Sequence, residues 1–168
     1  MLPFKKILCP VDFSESSIDA LKAANELSVH FSSELIVVHV IPPMTVPVAP
    51  EGMPQPMLDV VQYERSLRDH YGRLLPEVVS RNLSKQVRVQ SFSLHGDVAH
   101  EIARTSKEND VDLVVVAPHS HSGLRRFIFG SLAQKITRLA PCPVMTLVSR
   151  DQEAVSIGAE GSGEKKPG

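Results

Sequence analysis

The chain has 168 residues, of which 42% are hydrophobic and 22% charged, proportions typical of one globular domain with a buried core. Its formal net charge of -1 argues against a general nucleic-acid or membrane-surface binder, because such proteins carry a strong basic excess. No apolar run approaches the roughly 20 residues that a membrane span needs, and the first residues lack a signal-peptide pattern. We therefore expect a cytoplasmic protein with no membrane and no nucleic-acid partner.

The first quarter of the chain predicts a strand, a helix and a second strand. Residues 7–11 form a continuous apolar run that ends at Asp12, as in strands covered on both faces. Ser14 is suited to cap a following helix. Apolar residues at helical spacing predict the buried stripe of that helix: Ala20, Ala24, Leu27 and Phe31. A second apolar run predicts a strand over 34–40.

The middle of the chain predicts a loop, a helix and a third strand. Residues 41–57 are rich in Pro and Met and show neither period, so a long loop is expected. The helical period returns over 58–81, where Pro76 is expected to kink or break the helix. Residues 87–94 alternate well enough to predict a strand.

The last part predicts two further helix–strand pairs and a tail. Gly96 and Asp97 are expected to open a helix. The remaining runs predict a strand over 111–116, a helix that begins at Gly130 and Ser131 and runs to Leu139, and a strand over 144–148. Residues 150–168 have no period and are expected to be disordered.

Strands that alternate with helices predict an α/β fold. We expect one domain over 1–149, with a doubly wound, five-stranded parallel sheet between two helix layers. Cys9 and Cys142 lie beside apolar runs and are expected to be buried thiols of a reducing compartment. Ligands of such sheets bind beyond the carboxyl ends of the strands, where the strand order reverses. Asp12, Val40 and the residues from Ala117 onward occupy such ends.

The chain resembles the universal stress protein family in three segments. Residues 7–15 resemble the family's first strand and turn, residues 117–131 its phosphate loop, and residues 140–144 the start of its last strand. The likeness covers about residues 4–149. It implies a Rossmann-like, adenine nucleotide alpha hydrolase-like fold and two branches, one of which binds ATP. It also implies a homodimer formed along the last strand, at Val144, Thr146 and Val148.

The phosphate loop departs from the ATP-binding branch of the family. That branch has Gly, two residues, Gly, nine residues, and Gly followed by Ser or Thr; here these positions hold Ala117, Ser120, Gly130 and Ser131. A non-glycine residue in the left-handed region costs about 1–2 kcal/mol, and Pro118 restricts Ala117 further. ATP affinity is therefore expected to fall roughly ten- to a thousandfold. Gly130 and Ser131 retain an anion site at a helix N-terminus.

The resemblance also implies the residues of the cleft, for ATP or AMP: Pro10, Val11, Asp12, Val40, Ala117, Ser120, Gly130, Ser131 and Leu132. Four loop residues are either phosphate contacts or solvent-exposed: His119, His121, Arg125 and Arg126. Asp12 either faces adenine and ribose or caps the following turn. No metal site is predicted, because no carboxylate or cysteine lies close in sequence to the His-x-His pair.

Three functions remain open from the sequence. The first is a dimeric stress-response binding module that acts through an unidentified protein partner. The alternative is an ATP or AMP sensor that uses Asp12 and residues 117–131, with at most slow hydrolysis. An enzyme ranks last, because neither a Gly-x-Ser-x-Gly motif nor a P-loop signature is present.

Overall fold

The structure, a computed structural model, describes residues 2–44, 60–117 and 131–147. Strands and helices alternate along these residues, and all five predicted strands and four predicted helices are present. In chain order they are β1 (Lys6–Pro10), α1 (Glu15–Phe31), β2 (Glu34–Ile41), α2 (Val60–Asn82), β3 (Arg88–His95), α3 (Val98–Glu108), β4 (Leu113–Val116), α4 (Ser131–Leu139) and β5 (Val144–Thr146).

The five strands form one parallel sheet in the order β3-β2-β1-β4-β5, which confirms the predicted fold class. β1 lies at the centre, where Ile7 is level with Leu35 of β2 on one side and with Leu113 of β4 on the other. The order reverses between β1 and β4. This position is the topological switch point at which α/β proteins form their ligand clefts.

Alternate side chains of the central strand pack on opposite faces of the sheet. Ile7 and Cys9 face α1 and α2, whereas Leu8 faces α3 and α4. Both faces are apolar because both are covered by helices, which confirms the doubly wound architecture. The buried helix residues that cover the two faces are Ala20, Leu21, Ala24, Leu75, Ala99, Ile102, Ala133 and Ile136.

The start of α1 follows the sequence prediction. The Ser14 side chain caps the helix by accepting a hydrogen bond from the Ser17 backbone N–H at 3.3 Å. Ala20 and Ala24 are fully buried, while Leu27 and Phe31 of the predicted stripe are only half-buried. Ser17, Leu21 and Ser28, which the predicted stripe does not include, complete the buried face of α1.

Of the two outcomes expected at Pro76, a kink or a break, the break is wrong, because α2 runs through Pro76 from Val60 to Asn82, while the kink stays a prediction. Proline removes one backbone hydrogen bond, and tertiary packing must offset that loss. The adjacent Leu75 is 1% exposed in the core, and Val78 and Val79 pack against the same cluster. Contacts on both sides of the proline thus hold the helix on the sheet.

Several strand bounds and one cysteine also differ from the predictions. β2 extends to Ile41, which pairs with His95, and β3 is shifted by one residue. β4 begins at Leu113 rather than at residue 111, because the Val111 N–H donates a hydrogen bond to the Ser106 carbonyl oxygen of α3 at 2.9 Å and so closes the end of that helix. Cys142 is half-buried, unlike the fully buried Cys9. Most of the predicted loop, the domain limit at 149 and the predicted tail lie outside the described residues.

Candidate functional site

A cleft of about 480 Å³ opens at the carboxyl ends of β1 and β4, where the strand order reverses. β1 and β2 supply one wall, and α3 and α4 supply the other. Its lining residues are Pro10, Val11, Asp12, Ser17, His39, Val40, Pro42, Val98, Ile102, Val116, Ala117, Ser131, Leu132, Ala133 and Ile136.

The cleft brings together seven of the site residues that the sequence predicts: Pro10, Val11, Asp12, Val40, Ala117, Ser131 and Leu132. The other six lie outside the described residues, so their roles stay predictions: Ser120, Gly130, His119, His121, Arg125 and Arg126. Seven residues that converge on one volume from β1, β2, β4 and α4 make this the candidate binding site.

Asp12 has two structural relationships, which the sequence presented as alternatives. Its Oδ1 accepts hydrogen bonds from the Ser14 backbone N–H at 3.0 Å and from the Ser14 hydroxyl at 2.5 Å. Its own N–H donates to Ser17 Oγ at 3.3 Å. Asp12 therefore shapes the turn before α1 and also lines the cleft, while its predicted contact with adenine and ribose stays a prediction.

The backbone strain expected at Ala117 is absent. Within the described residues, the non-glycine residues with positive φ are Phe13, Ser32 and Asp110. Ala117 is 8% exposed, and its side chain belongs to the core cluster on the α1 and α2 face. An alanine is therefore accommodated at this end of β4 without left-handed backbone, and the predicted cost of replacing the first glycine does not arise there.

His39 is a cleft residue that the sequence analysis missed. It lies in β2, which is apolar apart from His39 and the first residue Glu34, is 7% exposed, and has Nδ1 2.8 Å from the Val11 carbonyl oxygen. Its ring contacts those of Phe13 and Tyr71, with centroids 4.6 and 4.2 Å away. Burial lowers the pKa of the imidazole, against the opposing effects of the Val11 hydrogen bond and of Asp12. A single histidine in a buried strand was the available signal.

The helix side of the cleft is apolar, and the sequence analysis assigned only part of it. Val98 and Ile102 line the cleft from α3, while Ala133 and Ile136 line it from α4. Their helical spacing indicated burial, but burial in a core and burial against a cleft leave the same pattern. Ser17, Pro42 and Val116 complete the set of lining residues that were missed.

An ion pair joins the two helices that form the apolar wall. Asp97 caps α3, as predicted, by accepting from the His100 N–H at 3.1 Å, and its Oδ2 lies 2.9 Å from Lys135 Nζ. Hydrogen bonds from Lys135 and His100 hold the pKa of Asp97 well below its usual range. The pair is exposed, so its contribution to stability is small. Asp97 directly precedes the cleft residue Val98, and Lys135 lies one turn after the cleft residue Ser131.

A second hollow, of about 510 Å³, lies at the other end of the strands, near the amino ends of β1, β2 and β3. Charged and polar side chains surround much of it, including Lys5, Lys6, Glu34 and Arg88. Its volume matches that of the cleft, but the amino ends of parallel strands are not where such folds bind ligands. The carboxyl-end cleft is therefore the better candidate.

β5 forms one edge of the described sheet and pairs with β4. Val144 and Thr146 are half-buried, whereas Met145 between them is 39% exposed. Val148, the third predicted dimer residue, lies outside the described residues. Dimerisation through this strand stays a prediction.

The universal stress protein family profile matches residues 3–147. The chain belongs to the universal stress protein family. Universal stress protein YxiE of Bacillus subtilis is 30% identical over 146 residues, which cover 84% of this chain and 97% of that relative. Universal stress protein A homolog 1 of Coxiella burnetii is 31% identical over 147 residues, which cover 86% and 96%.

Solved structures share the fold of this universal stress protein. The structure of protein MJ0577 superposes with a TM-score of 0.70 at 22% identity, covering 86% of this chain and 95% of that one. A universal stress protein in complex with cAMP gives 0.58 at 14% identity, with coverage of 86% and 96%. One from Archaeoglobus fulgidus in complex with dAMP gives 0.53 at 18% identity, with coverage of 88% and 100%. At these identities the likeness establishes the fold alone.

None of the described helices is both long and apolar enough to cross a bilayer. No group of three or more His, Cys, Asp or Glu side chains in the described part of the universal stress protein is arranged to hold a metal ion.

Proposed function

We propose that this universal stress protein is a regulatory binding module whose cleft takes an adenine nucleotide, AMP or ATP. The observation that carries the proposal is the convergence of apolar walls, the Asp12 carboxylate and the start of α4 on one volume. That volume, about 480 Å³, lies within the range typical of small-molecule sites.

Each part of the cleft suits one part of such a ligand. Val40, Val116 and Ile102 provide apolar surface for the faces of a purine. Asp12 provides acceptor oxygens for a base amine or a ribose hydroxyl. Ser131 lies at the N-terminus of α4, where unpaired backbone N–H groups favour a phosphate. The cAMP and dAMP complexes of two proteins of this fold support the same ligand class.

Binding is proposed in preference to catalysis because no hydrogen bond in the described lining joins a hydroxyl to the imidazole of His39, and the Ser17 hydroxyl donates to the Ser14 carbonyl oxygen instead. Asp12 holds the turn at Ser14, and His39 Nδ1 is bonded to the backbone of Val11 rather than to a nucleophile. Activated hydroxyls in hydrolases require a base within hydrogen-bond reach. We therefore expect at most slow hydrolysis.

The test is to purify the protein without added nucleotide, denature it, and identify adenine nucleotides in the supernatant by mass spectrometry. Titration calorimetry with AMP and ATP follows on the empty protein. Either a near-stoichiometric yield or micromolar affinity is expected. Asp12→Asn should weaken binding at least about tenfold, since it removes a charged acceptor. Asp19→Asn is the matched control, because Asp19 is exposed and pairs with Lys22. A protein that carries no adenine nucleotide after purification and gives no measurable heat with AMP or with ATP overturns the proposal.

A second proposal is a homodimer that pairs along β5 and presents the module to a protein partner in the cytoplasm. It is supported by the free side of β5 within the described sheet and by the exposed Met145 there. Light scattering coupled to size exclusion should give a dimer that Met145→Glu converts to a monomer. Leu139→Glu is the control, because Leu139 is equally exposed at 39% but lies at the end of α4. A monomeric native protein, or a dimer that tolerates Met145→Glu, contradicts it.

A further inference from the structure

His39 is the buried imidazole of the cleft, and the fold uses only one of its two nitrogens. The residue lies near the carboxyl end of β2, next to Val40, and both side chains line the cleft. Alternation along the strand directs their side chains to opposite sides of the sheet. The ring of His39 is nonetheless part of the lining, because the cleft extends across the end of β1 to Val11 and Asp12.

The hydrogen bond to Val11 determines which nitrogen of His39 carries the proton. A backbone carbonyl oxygen only accepts, so Nδ1, at 2.8 Å from it, must be the N–H. Desolvation lowers the pKa of the ring, so the neutral form predominates near neutral pH. In that tautomer Nε2 bears a lone pair and is an acceptor.

Aromatic contacts fix the direction of the ring. Phe13 lies 4.6 Å from it and Tyr71 lies 4.2 Å from it, measured between ring centroids, and these two rings are stacked on each other at 5.5 Å. A ring held by two neighbours and one hydrogen bond has little freedom to rotate. Nε2 is thus a preorganised acceptor.

Nε2 also retains an accessible surface. Among the described residues, the one side-chain polar atom that is both fully buried and without a hydrogen-bond partner is Ser93 Oγ. No hydrogen bond from a described residue reaches Nε2 of His39, so this atom keeps contact with open volume. The volume that His39 lines is the cleft.

We propose that His39 is a ligand-recognition residue, whose Nε2 accepts a hydrogen bond from a donor group of the nucleotide. This inference rests on the proposed function. The donor is either the exocyclic amine of adenine or the ribose 2′-hydroxyl, since both present N–H or O–H to an acceptor. With the Asp12 carboxylate nearby, this wall carries two acceptors. A ligand that places a carbonyl there is therefore disfavoured.

The experiment is titration calorimetry of AMP, IMP and dAMP against the native protein and two substitutions. IMP lacks the amine and dAMP lacks the 2′-hydroxyl, so the two analogues distinguish the donors. We expect the analogue without the recognised donor to bind roughly tenfold more weakly than AMP. His39→Asn places an amide nitrogen at the position of Nδ1 and nothing at Nε2, so it should abolish that preference. His39→Gln places an amide oxygen at the position of Nε2 and should retain part of it.

The outcomes separate this inference from the function on which it rests. If neither ATP nor any of these three nucleotides binds the native protein, the proposed function fails and the inference fails with it. If AMP binds but both analogues bind equally well, or if His39→Asn keeps the preference, the inference is wrong and the function stands. Should the substitutions prevent folding, the ¹⁵N resonance of His39 Nε2 in the native protein provides the test. It should shift on addition of AMP, and an unchanged resonance in a saturated sample overturns the inference.

Discussion

Ala117→Gly should lower the free energy of unfolding without improving nucleotide binding. The Ala117 methyl group is buried in the core cluster, and its removal costs about 0.8 kcal/mol. A glycine also gives the unfolded chain more freedom, which costs a further 0.5–1 kcal/mol or so. No strain is relieved in return, because Ala117 is not among the described residues with positive φ. The expected loss is about 1–2 kcal/mol.

The assay combines urea unfolding with ATP titration on the native protein and on Ala117→Gly. Ala140→Gly is the control, because Ala140 is half-buried and does not line the cleft, so its loss should be smaller. Relief of about 1.4 kcal/mol of strain would raise the affinity tenfold. A gain of that size, with stability unchanged, would refute the reasoning and restore the view that an alanine impairs this loop.

Four further predictions concern the turn, the glycines, a cysteine and the buried histidine. Ser14→Ala removes the cap of α1 and should cost about 1 kcal/mol in urea unfolding. Gly72→Ala should raise the free energy of unfolding by about 0.5–1 kcal/mol, because Gly72 lies in α2 and an added Cβ would meet no atom within 4 Å. Gly96→Ala should lower it by about 1–3 kcal/mol, because Gly96 has φ +147° and a Cβ would lie 3.0 Å from the Glu101 side chain. Burial raises the pKa of the Cys9 thiol to about 12, so it should react with a chromogenic disulfide reagent only after unfolding. Because the pKa of His39 is lowered from 6.5 in the folded state, its contribution to stability is complete above pH 6.5 and is lost as pH falls through the folded pKa. Urea midpoints of the native protein should therefore drop on mild acidification more than those of His39→Asn.

The fold could be predicted because local pattern and global architecture agree in this chain. Continuous apolar runs at the central strands require helices on both faces, and the alternation of elements then leaves a parallel sheet. The helix starts at Ser14 and Asp97 were predictable for the same reason, since capping depends on residues a few positions apart. Pro76 shows the limit of local rules. Its helix continues because neighbouring residues of α2 pack against core residues that are distant in sequence, and the residues around Pro76 alone do not predict those contacts.

The site was less predictable, because several of its residues act through partners distant in sequence. Asp12 and Val40 could be assigned from the resemblance and from strand ends. His39 could not, since its position in the cleft depends on the Val11 carbonyl, 28 positions away, and on Tyr71 in helix α2. Strain was expected at Ala117 because the family pattern has glycine there, but the backbone of Ala117 does not have positive φ. A glycine in a family pattern therefore does not establish positive φ in every member.

Near the cleft, the left-handed backbone lies instead at Phe13, where φ is +66°. That conformation costs a non-glycine residue about 1–2 kcal/mol, and contacts elsewhere must compensate. The Phe13 ring stacks on Tyr71 and contacts His39, and aromatic pairs contribute about 0.5–1.5 kcal/mol each. Tyr71 lies on the same continuous helix as Leu75, which anchors α2 in the core. The core packing that keeps α2 continuous at Pro76 therefore also positions Tyr71 against Phe13, and so stabilises the turn that contains Phe13 and the cleft residue Asp12.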